Sequence, residues 1–151
     1  MLTTTKRLLM RCIATLCVAT VFVVRAEGTD ASIATQLAKL VTNDGAAGDH
    51  FGASVAISDG IAVVGKRLDD DKGSDSGSVY VFEMSSPDDA SSWAQVAKLT
   101  ADDGAASDYF GISVAISDGT IVVGAHGDDD KGSSSGSAYL FEKSSSDDAS
   151  S

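Results

Sequence analysis

The sequence predicts an all-β protein built from two copies of one structural unit. Residues 36–92 return as residues 95–151, without a gap and at an offset of 59 residues, and about 40 of the 57 aligned positions are identical. Within each copy, short runs of β-branched and aromatic residues alternate with Gly, Ser and Asp, a pattern typical of short strands joined by tight turns. A unit of this length is too short to bury its own apolar residues, so the copies must pack on one another or on further copies.

Three strands of each copy follow from these apolar runs. In the first copy they lie at residues 55–57, 61–64 and 79–82. Asp59-Gly60, repeated as Asp118-Gly119, separates the first two runs, and its Gly tolerates the positive φ of a type I′ hairpin turn. A fourth strand is predicted at residues 36–42 and again at 95–101, so we expect four antiparallel strands in each copy.

The strands are apolar on nearly consecutive residues, which predicts that both faces of each small sheet are covered. Radial stacking of sheets supplies that environment, because each blade of a β-propeller lies between two others. We therefore expect two four-stranded antiparallel blades of an incomplete β-propeller, since a closed one has about four to eight blades. A two-layer sandwich of the copies is the alternative, although it would leave one apolar face of each sheet in water.

The first 26 residues have the composition of a secretory signal peptide. Lys6, Arg7 and Arg11 precede an uncharged, mostly apolar run, and Ala26 ends a small-residue cleavage site. A membrane anchor is the alternative, but the run has roughly 13 residues where a spanning helix needs about 20. We expect cleavage after Ala26, a secreted protein and no membrane span in the mature chain. The predicted organisation is a signal peptide at 1–26, a lead-in at 27–35, a first repeat at 36–94 and a second repeat at 95–151.

Removal of the signal peptide would leave a strongly acidic chain without cysteine. Both cysteines, Cys12 and Cys17, lie in the removed segment, which excludes disulfides and cysteine-ligated metals from the mature protein. The net charge of −11 would become −15, because four basic residues and no acidic residue lie before Glu27. Nucleic acids and anionic membrane surfaces are therefore not expected as partners, since both attract basic patches.

The densest group of carboxylates lies in a loop that occurs at residues 69–77 and again at 128–136. Acidic side chains on alternate residues before a Gly are what a hard, oxygen-seeking cation requires, and Ca²⁺ is the cofactor they would take. The candidate metal ligands are Asp69, Asp71 and Asp75 in the first copy and Asp128 and Asp130 in the second.

A solvated acidic loop, in which Asp, Ser and Gly serve turn geometry, is the alternative interpretation of these residues. Two features favour it: Lys72 and Lys131 place a cation inside each loop, and Asp75 is replaced by Ser134. A second acidic loop, at residues 44–49 and 103–108, precedes each Phe-Gly pair. We expect its flanking Asp residues to accept backbone N–H bonds and fix the entry to the strand, with ion binding as the weaker alternative.

The sequence offers little for catalysis. His50 aligns with Tyr109 and His126 with Arg67, so neither histidine is repeated. There is no Gly-x-Ser-x-Gly elbow and no Ser/His/Asp set at an interpretable spacing. We therefore expect a protein that is not an enzyme, and a secreted hydrolase is a remote alternative without a supporting motif.

Two landmarks recur in each copy: a Phe-Gly pair opening residues 51–57 and 110–116, and a Val-Val-Gly triplet at 63–65 and 122–124. Together they resemble the FG-GAP repeat, the blade repeat of the β-propeller of integrin alpha chains and of many secreted or surface proteins. The resemblance covers nearly the whole mature chain. It implies structural roles for six residues: Phe51 and Phe110 as blade-packing anchors, Gly52 and Gly111 at close backbone approaches, and Gly65 and Gly124 at the ends of buried strands.

The resemblance implies a secreted, non-catalytic module for binding, adhesion or structural interaction. Its partners would be other blades, a protein that binds the exposed blade faces, or further copies of the chain in a homo-oligomer. A fragment of a longer repeat array is the alternative. Calcium-binding members of the family carry an Asp-x-Asp-x-Asp-Gly loop between the first two strands, where this chain has only Asp59-Gly60 and Asp118-Gly119. These turns are too short to supply six to eight oxygen ligands. The family's calcium site is not carried over, and the alternative function of divalent-cation binding rests on the acidic loops.

Overall fold

The structure is a computed structural model that describes residues 36–87, 89 and 92–143, and it confirms the all-β prediction. Within these residues there are two antiparallel sheets: sheet 1, in the order β1-β2-β3-β4, and sheet 2, in the order β5-β6-β7. The strands are β1 (Phe51–Ser58), β2 (Ile61–Lys66), β3 (Ser78–Met84), β4 (Trp93–Leu99), β5 (Ser113–Ser117), β6 (Thr120–Ala125) and β7 (Ser137–Glu142). The predicted signal peptide and lead-in, at 1–26 and 27–35, lie outside the described residues.

The two predicted hairpin turns are present. Asp59 and Gly60 connect β1 to β2 with φ values of 49° and 74°, and Asp118 and Gly119 connect β5 to β6 with 49° and 78°. Positive φ at both central residues is what a type I′ turn requires. The repeated Asp-Gly pair therefore fixes the register of the first two strands in both copies.

The prediction of four strands in each copy is wrong, because the strand predicted at residues 95–101 belongs to the preceding sheet. This strand, β4, pairs with β3 so that Lys98 lies opposite Tyr80. Just after β3, the amide of Ser85 donates to the carbonyl of Ser92, which immediately precedes β4, so consecutive strands become neighbours. Residues 36–42 form no strand. Sheet 1 thus has four strands and sheet 2 three, and the repeat boundary between residues 94 and 95 falls inside β4.

Apolar side chains cover both faces of sheet 1. One face packs against sheet 2 and forms the main core, whose buried members are Val63, Val79, Val81, Ala101, Phe110, Ile121, Val123 and Ala125. The outer face of sheet 1 carries a second cluster of Ala62, Val64, Tyr80 and Phe82, against which Leu40, Phe51 and Trp93 pack. The prediction that both faces of a blade carry apolar residues is confirmed for sheet 1, and the arrangement is consistent with FG-GAP blades.

The two Phe-Gly landmarks hold equivalent positions on the two sheets. Phe51 makes edge-to-face contacts with Tyr80 and Phe82, at centroid distances of 5.7 and 6.2 Å. Phe110 makes the same contacts with Tyr139 and Phe141, at 5.4 and 6.0 Å. Phe110 is only 1% exposed because sheet 1 covers it, whereas Phe51 lies half-buried on the outer face of sheet 1.

Main-chain hydrogen bonds join the two repeats. The acidic loop of the first repeat, residues 69–77, supplies the carbonyls of Ser74, Asp75 and Ser76. These accept hydrogen bonds from the amides of Ser107, Tyr109 and Phe110 at 2.8, 3.1 and 2.9 Å. The loop predicted as a metal site therefore also forms part of the junction between the repeats.

The closest approach of the two sheets occurs at Gly65 and Gly111. A Cβ atom at Gly65 would lie 2.0 Å from the carbonyl oxygen of Gly111, which accepts a hydrogen bond of 2.6 Å from the Ser54 hydroxyl. At the equivalent position in sheet 2, a Cβ atom on Gly124 would meet closely only the hydroxyl of Ser113, at 2.4 Å. The two equivalent glycines thus have different surroundings: backbone at Gly65, and a side chain that can rotate at Gly124.

These surroundings predict different costs for the same substitution. Gly65→Ala should lower the free energy of unfolding by about 2 kcal/mol or more, because the new methyl group can be accommodated only if the sheets separate. Gly124→Ala should cost less than about 1 kcal/mol, because the Ser113 side chain can adopt another rotamer. Urea denaturation of both variants, at concentrations where the chain is monomeric, measures the difference, and equal losses there would contradict the assigned junction.

Candidate functional site

The two acidic loops are closed by their own main chain and by short polar side chains. In the first loop, the amide of Gly77 donates to the carbonyl of Asp69 at 2.8 Å, and the amide of Asp75 donates to the Asp70 carboxylate at 2.8 Å. The second loop repeats both bonds, with Gly136 donating to Asp128 at 2.9 Å and Ser134 donating to Asp129. Much of the loop composition therefore serves turn geometry, as in an Asx-type turn.

Asp75 takes part in this geometry through its backbone. Its φ is 58°, close to the 50° of Ser134 at the equivalent position. Both residues use the main-chain amide to close the loop. Replacement of Asp by Ser between the copies is explained by this shared backbone role, which requires no carboxylate.

The remaining acidic residues of the first repeat surround the ammonium group of Lys98, which projects from β4. Lys98 Nζ lies 2.8 Å from oxygens of both Asp44 and Asp69 and also pairs with Asp71. The Tyr80 hydroxyl donates to Asp44 at 2.8 Å, and the Tyr80 ring lies 5.2 Å from Lys98 Nζ. We call Asp44, Asp69 and Asp71 the first acidic cluster. This cluster binds Lys98, which lies on β4, the strand in which the second repeat begins.

A second lysine, Lys66 at the end of β2, is buried beside this cluster. Its Nζ lies 2.7 Å from Asp49 and 3.0 Å from Asp69, and the residue is only 1% exposed. Burial disfavours the charge, but the hydrogen bonds to Asp49 and Asp69 outweigh it and raise the pKa of Lys66 above its usual range. The carboxylates of the first acidic cluster likewise outweigh burial and raise the pKa of Lys98.

These ammonium groups hold the carboxylates ionised. The hydrogen bond from Lys98 is the main cause that lowers the pKa of Asp44 far below its usual value. For Asp69, burial acts in the opposite direction, but the adjacent ammonium groups of Lys98 and Lys66 prevail and lower its pKa. The first acidic cluster is therefore a set of ion pairs with its cations supplied by the protein itself.

The second repeat forms the same cluster from equivalent residues. Carboxylate oxygens of Asp103, Asp128 and Asp130 all lie within 4.8 Å of one another. The Tyr139 hydroxyl lies 3.0 Å from Asp103 and 2.8 Å from Asp128. We call these three aspartates the second acidic cluster. They correspond to the first cluster at the offset of 59 residues.

The second acidic cluster differs from the first in its cations. Ala125 replaces Lys66, and in the described part of the chain no lysine pairs with these aspartates. Asp128 is only 4% exposed. Hydrogen bonds from the amide of Asp130 and from Tyr139 lower its pKa, whereas burial and the neighbouring carboxylates raise the pKa of Tyr139. This partly buried group of three carboxylates can bind a cation.

The structure brings together some of the predicted metal ligands and separates others. Asp69 meets Asp71, and Asp128 meets Asp130, while Asp75 serves loop closure. Asp44 and Asp103, which complete the two clusters, were assigned by the sequence to the other acidic loop. The expected backbone role is confirmed for one flanking Asp of each loop, since Asp49 accepts from the amide of Ala46 at 2.6 Å and Asp108 from that of Ala105 at 2.7 Å. Asp44 and Asp103 accept from tyrosine hydroxyls instead.

One sequence feature could have revealed the full clusters: Asp44 and Tyr80 recur at the repeat offset as Asp103 and Tyr139. Local spacing gives no indication that the two loops meet. Lys72 and Lys131, the cations expected inside the loops, are exposed. In the first repeat, Lys98 and Lys66 pair with the carboxylates instead. His50 contacts Arg67 at 3.0 Å, and His126 lies against the Tyr109 ring with 5.1 Å between centroids.

Removal of the cation from the first acidic cluster should destabilise the fold. Lys98→Met leaves the buried Asp69 with one lysine partner and should lower the free energy of unfolding at pH 7 by about 2 kcal/mol. The lowered pKa values of Asp44 and Asp69 give a contribution that is complete above the unfolded pKa of about 4 and is lost as the pH falls. The deficit of the variant should therefore shrink progressively below about pH 4.

Urea denaturation at pH 7 and pH 3 measures both effects. Lys72→Met is the matched control, because Lys72 is exposed, and it should change stability by less than about 0.5 kcal/mol. A Lys98→Met deficit of the same size at both pH values would contradict the ion-pair assignment.

Comparison with known proteins agrees with this repeat structure. The model of the FG-GAP repeat matches residues 34–82 and again residues 93–141. The first match covers β1, β2 and most of β3, and the second covers β4 to β6 and most of β7. No curated protein matches the chain significantly, and no helix in the described residues has the length and apolarity to cross a membrane. Two matched repeats over most of the chain show that it belongs to the FG-GAP repeat family.

Proposed function

We propose that this protein is a secreted, non-catalytic interaction module that binds through the faces of its FG-GAP blades. The supporting observation is a pair of apolar surfaces left exposed at opposite sides of the two-sheet structure. On the outer face of sheet 1, Val55 and Ile57 are 69% and 67% exposed. On the outer face of sheet 2, Val122 and Leu140 are 38% and 69% exposed.

The burial of equivalent residues at the junction indicates what these surfaces bind. Val114 and Ile116, the counterparts of Val55 and Ile57, are partly buried against sheet 1. Val63 and Val81, the counterparts of Val122 and Leu140, are buried against sheet 2. The same positions are therefore covered wherever a neighbouring sheet is present.

This pattern supports a propeller blade as the natural neighbour of each exposed face. Exposed apolar patches on soluble proteins mark interaction sites, and blades in a propeller are covered on both sides. Two blades are fewer than the about four to eight of a closed propeller, so the neighbours of the exposed faces are blades outside the described residues. Binding, adhesion and structural roles all use such faces. A secreted hydrolase is not favoured by any arrangement of the described side chains.

The proposal predicts that the mature chain associates in solution. The double variant Val55→Ser/Ile57→Ser should associate at least about 10-fold more weakly, because it removes the apolar area of one face. Val96→Ser is the control, because Val96 is an exposed apolar residue on β4, at the edge of the sheet. Light scattering across a concentration series measures association, and a sharply melting monomer would contradict the proposal.

A second candidate function, divalent-cation binding, is favoured by the geometry of the second acidic cluster. Its three carboxylates are close enough to share an ion, and hard oxygen donors suit calcium. Calcium takes about six to eight oxygen ligands, so main-chain or water oxygens would have to complete the shell. In the first cluster Lys98 already neutralises the equivalent carboxylates.

Calorimetric titration with calcium tests this candidate. It predicts one site per chain, at the second acidic cluster, and loss of that site in Asp103→Asn/Asp130→Asn. The control is Asp44→Asn/Asp71→Asn, which alters the cluster that already holds Lys98 and should leave the calcium heat unchanged. Absence of heat at millimolar calcium would eliminate the candidate.

A further inference from the structure

The outer edge of β7 is equivalent to the edge of β3 that carries β4. In sheet 1, β4 lies along β3 with Leu99 opposite Val79, Lys98 opposite Tyr80 and Ala97 opposite Val81. In sheet 2, β7 is the last strand, and among the described residues it pairs only with β6. Ala138, Tyr139 and Leu140 are the counterparts of the three β3 residues.

A cavity of about 320 Å³ lies beside β7, where a fourth strand would run. It is lined by Thr100, Asp102, Asp103, Tyr139, Leu140 and Phe141. The second acidic cluster shares Asp103 with this cavity and is bridged by the Tyr139 hydroxyl. The Tyr139 hydroxyl can donate its one proton to only one of the two carboxylates at a time. A further cation is therefore needed to give the second cluster the same charge balance as the first.

We infer that β7 binds residues 36–40 of a second copy of this chain as its fourth strand, with Lys39 of that copy held by Asp103, Asp128 and Asp130. The inference rests on the proposed function and names its partner. The incoming segment would lie antiparallel to β7, with Lys39 opposite Tyr139, as Lys98 lies opposite Tyr80. Addition of a strand to an exposed sheet edge is a common mode of recognition.

The incoming segment has the required sequence. Residues 36–40 read Gln-Leu-Ala-Lys-Leu, and residues 95–99, within β4, read Gln-Val-Ala-Lys-Leu. The Lys in this sequence reaches the first acidic cluster from β4, so the equivalent Lys39 can reach the second cluster from the same register. Val96 lies at the register irregularity of β4. Leu37 is its counterpart and would lie at the same point of the added strand.

The segment is also available in the required position. Residues 36–39 are exposed and form no strand, and Leu37 is 72% exposed. Residues 36–39 are therefore accessible to a second copy, and Leu40 packs on the outer face of sheet 1 in the way that Leu99 packs against the core between the sheets.

The remaining contacts of the junction would be reproduced between the copies. Gly124 would face Gly52 of the second copy, as Gly65 faces Gly111, and a Cβ atom at Gly52 meets no atom within 4 Å in the isolated chain. Val55 and Ile57 of the second copy would cover Val122 and Leu140. One interface thus accounts for both exposed apolar faces, the β7 edge and the second acidic cluster.

The geometry of the first cluster favours an ammonium group over calcium as the occupant. The equivalent carboxylates hold Lys98 in the same protein, and the Tyr80 ring adds a cation–π contact. Tyr139 supplies the equivalent ring to the second cluster. The second cluster thus has the carboxylates and the aromatic ring that hold lysine in the first.

The interface is head-to-tail, so it generates a closed ring or an open chain. The described residues of each copy form two sheets, so about two to four copies would supply the four to eight blades of a closed propeller. Sedimentation velocity of the full mature chain should therefore show defined oligomers whose population depends on concentration.

Charge reversal on each side of the interface tests the inference. Lys39→Glu places a carboxylate against the second acidic cluster, and Asp103→Lys places an ammonium group against Lys39. Each variant alone should self-associate about 100-fold more weakly than the wild type. An equimolar mixture should form a 1:1 complex, because the Asp103→Lys chain still offers Lys39 to the intact cluster of the Lys39→Glu chain.

Lys72→Glu is the matched control, because it makes the same charge change at an exposed loop lysine and should associate like the wild type. Thermal melting confirms that each variant is folded, and formation of the 1:1 complex confirms it independently. If Lys39→Glu associates like the wild type, or if the mixture forms no complex, the inference is overturned while the proposed function stands. A sharply melting wild-type monomer overturns both.

Discussion

The structure depends on a main-chain contact between its two sheets that leaves no space for a side chain. Gly65 lies against the carbonyl of Gly111, and the nearby loop carbonyls accept hydrogen bonds from the segment that leads into β5. Because both sides of the contact are backbone, the separation of the sheets is fixed by peptide geometry. The apolar residues between the sheets, including Phe110 and Val123, are sized to fill the space that this separation leaves.

The β4 strand links this packing to the electrostatics. It is made by the second repeat but completes the sheet of the first, and it carries Lys98 to the carboxylates of Asp44, Asp69 and Asp71. Acidic residues of one repeat are therefore neutralised by the next repeat along the chain. Part of the negative charge of the sequence thus belongs to carboxylates that pair with a lysine from the next repeat. This pairing accounts for a density of Asp that turn geometry alone does not require.

The sequence was sufficient to predict three strands of each copy, the Asp-Gly hairpins and the apolar character of both faces of sheet 1, because each depends on residues close together in the chain. It failed at β4, since the repeat boundary and the sheet boundary differ, and a pattern shared by both copies cannot show which sheet a strand joins. The acidic clusters were predicted only in part. Asp69 and Asp71 are neighbours in sequence, but Asp44 and Lys98 reach them from other segments, and only tertiary structure brings these together.

The boundary between repeats does not coincide with the boundary between sheets. This difference affects how further repeats can be added to such a chain. Each 59-residue unit ends with a strand edge beside an acidic cluster and begins with Gln-x-Ala-Lys-Leu, the sequence that in β4 supplies the strand and lysine that fit them. Duplication of the unit therefore adds one blade without creating any new kind of contact, because every internal boundary is chemically the same. The number of blades is then selected by the angle between successive sheets, which decides when a ring closes, and not by any residue that recognises the first or the last unit.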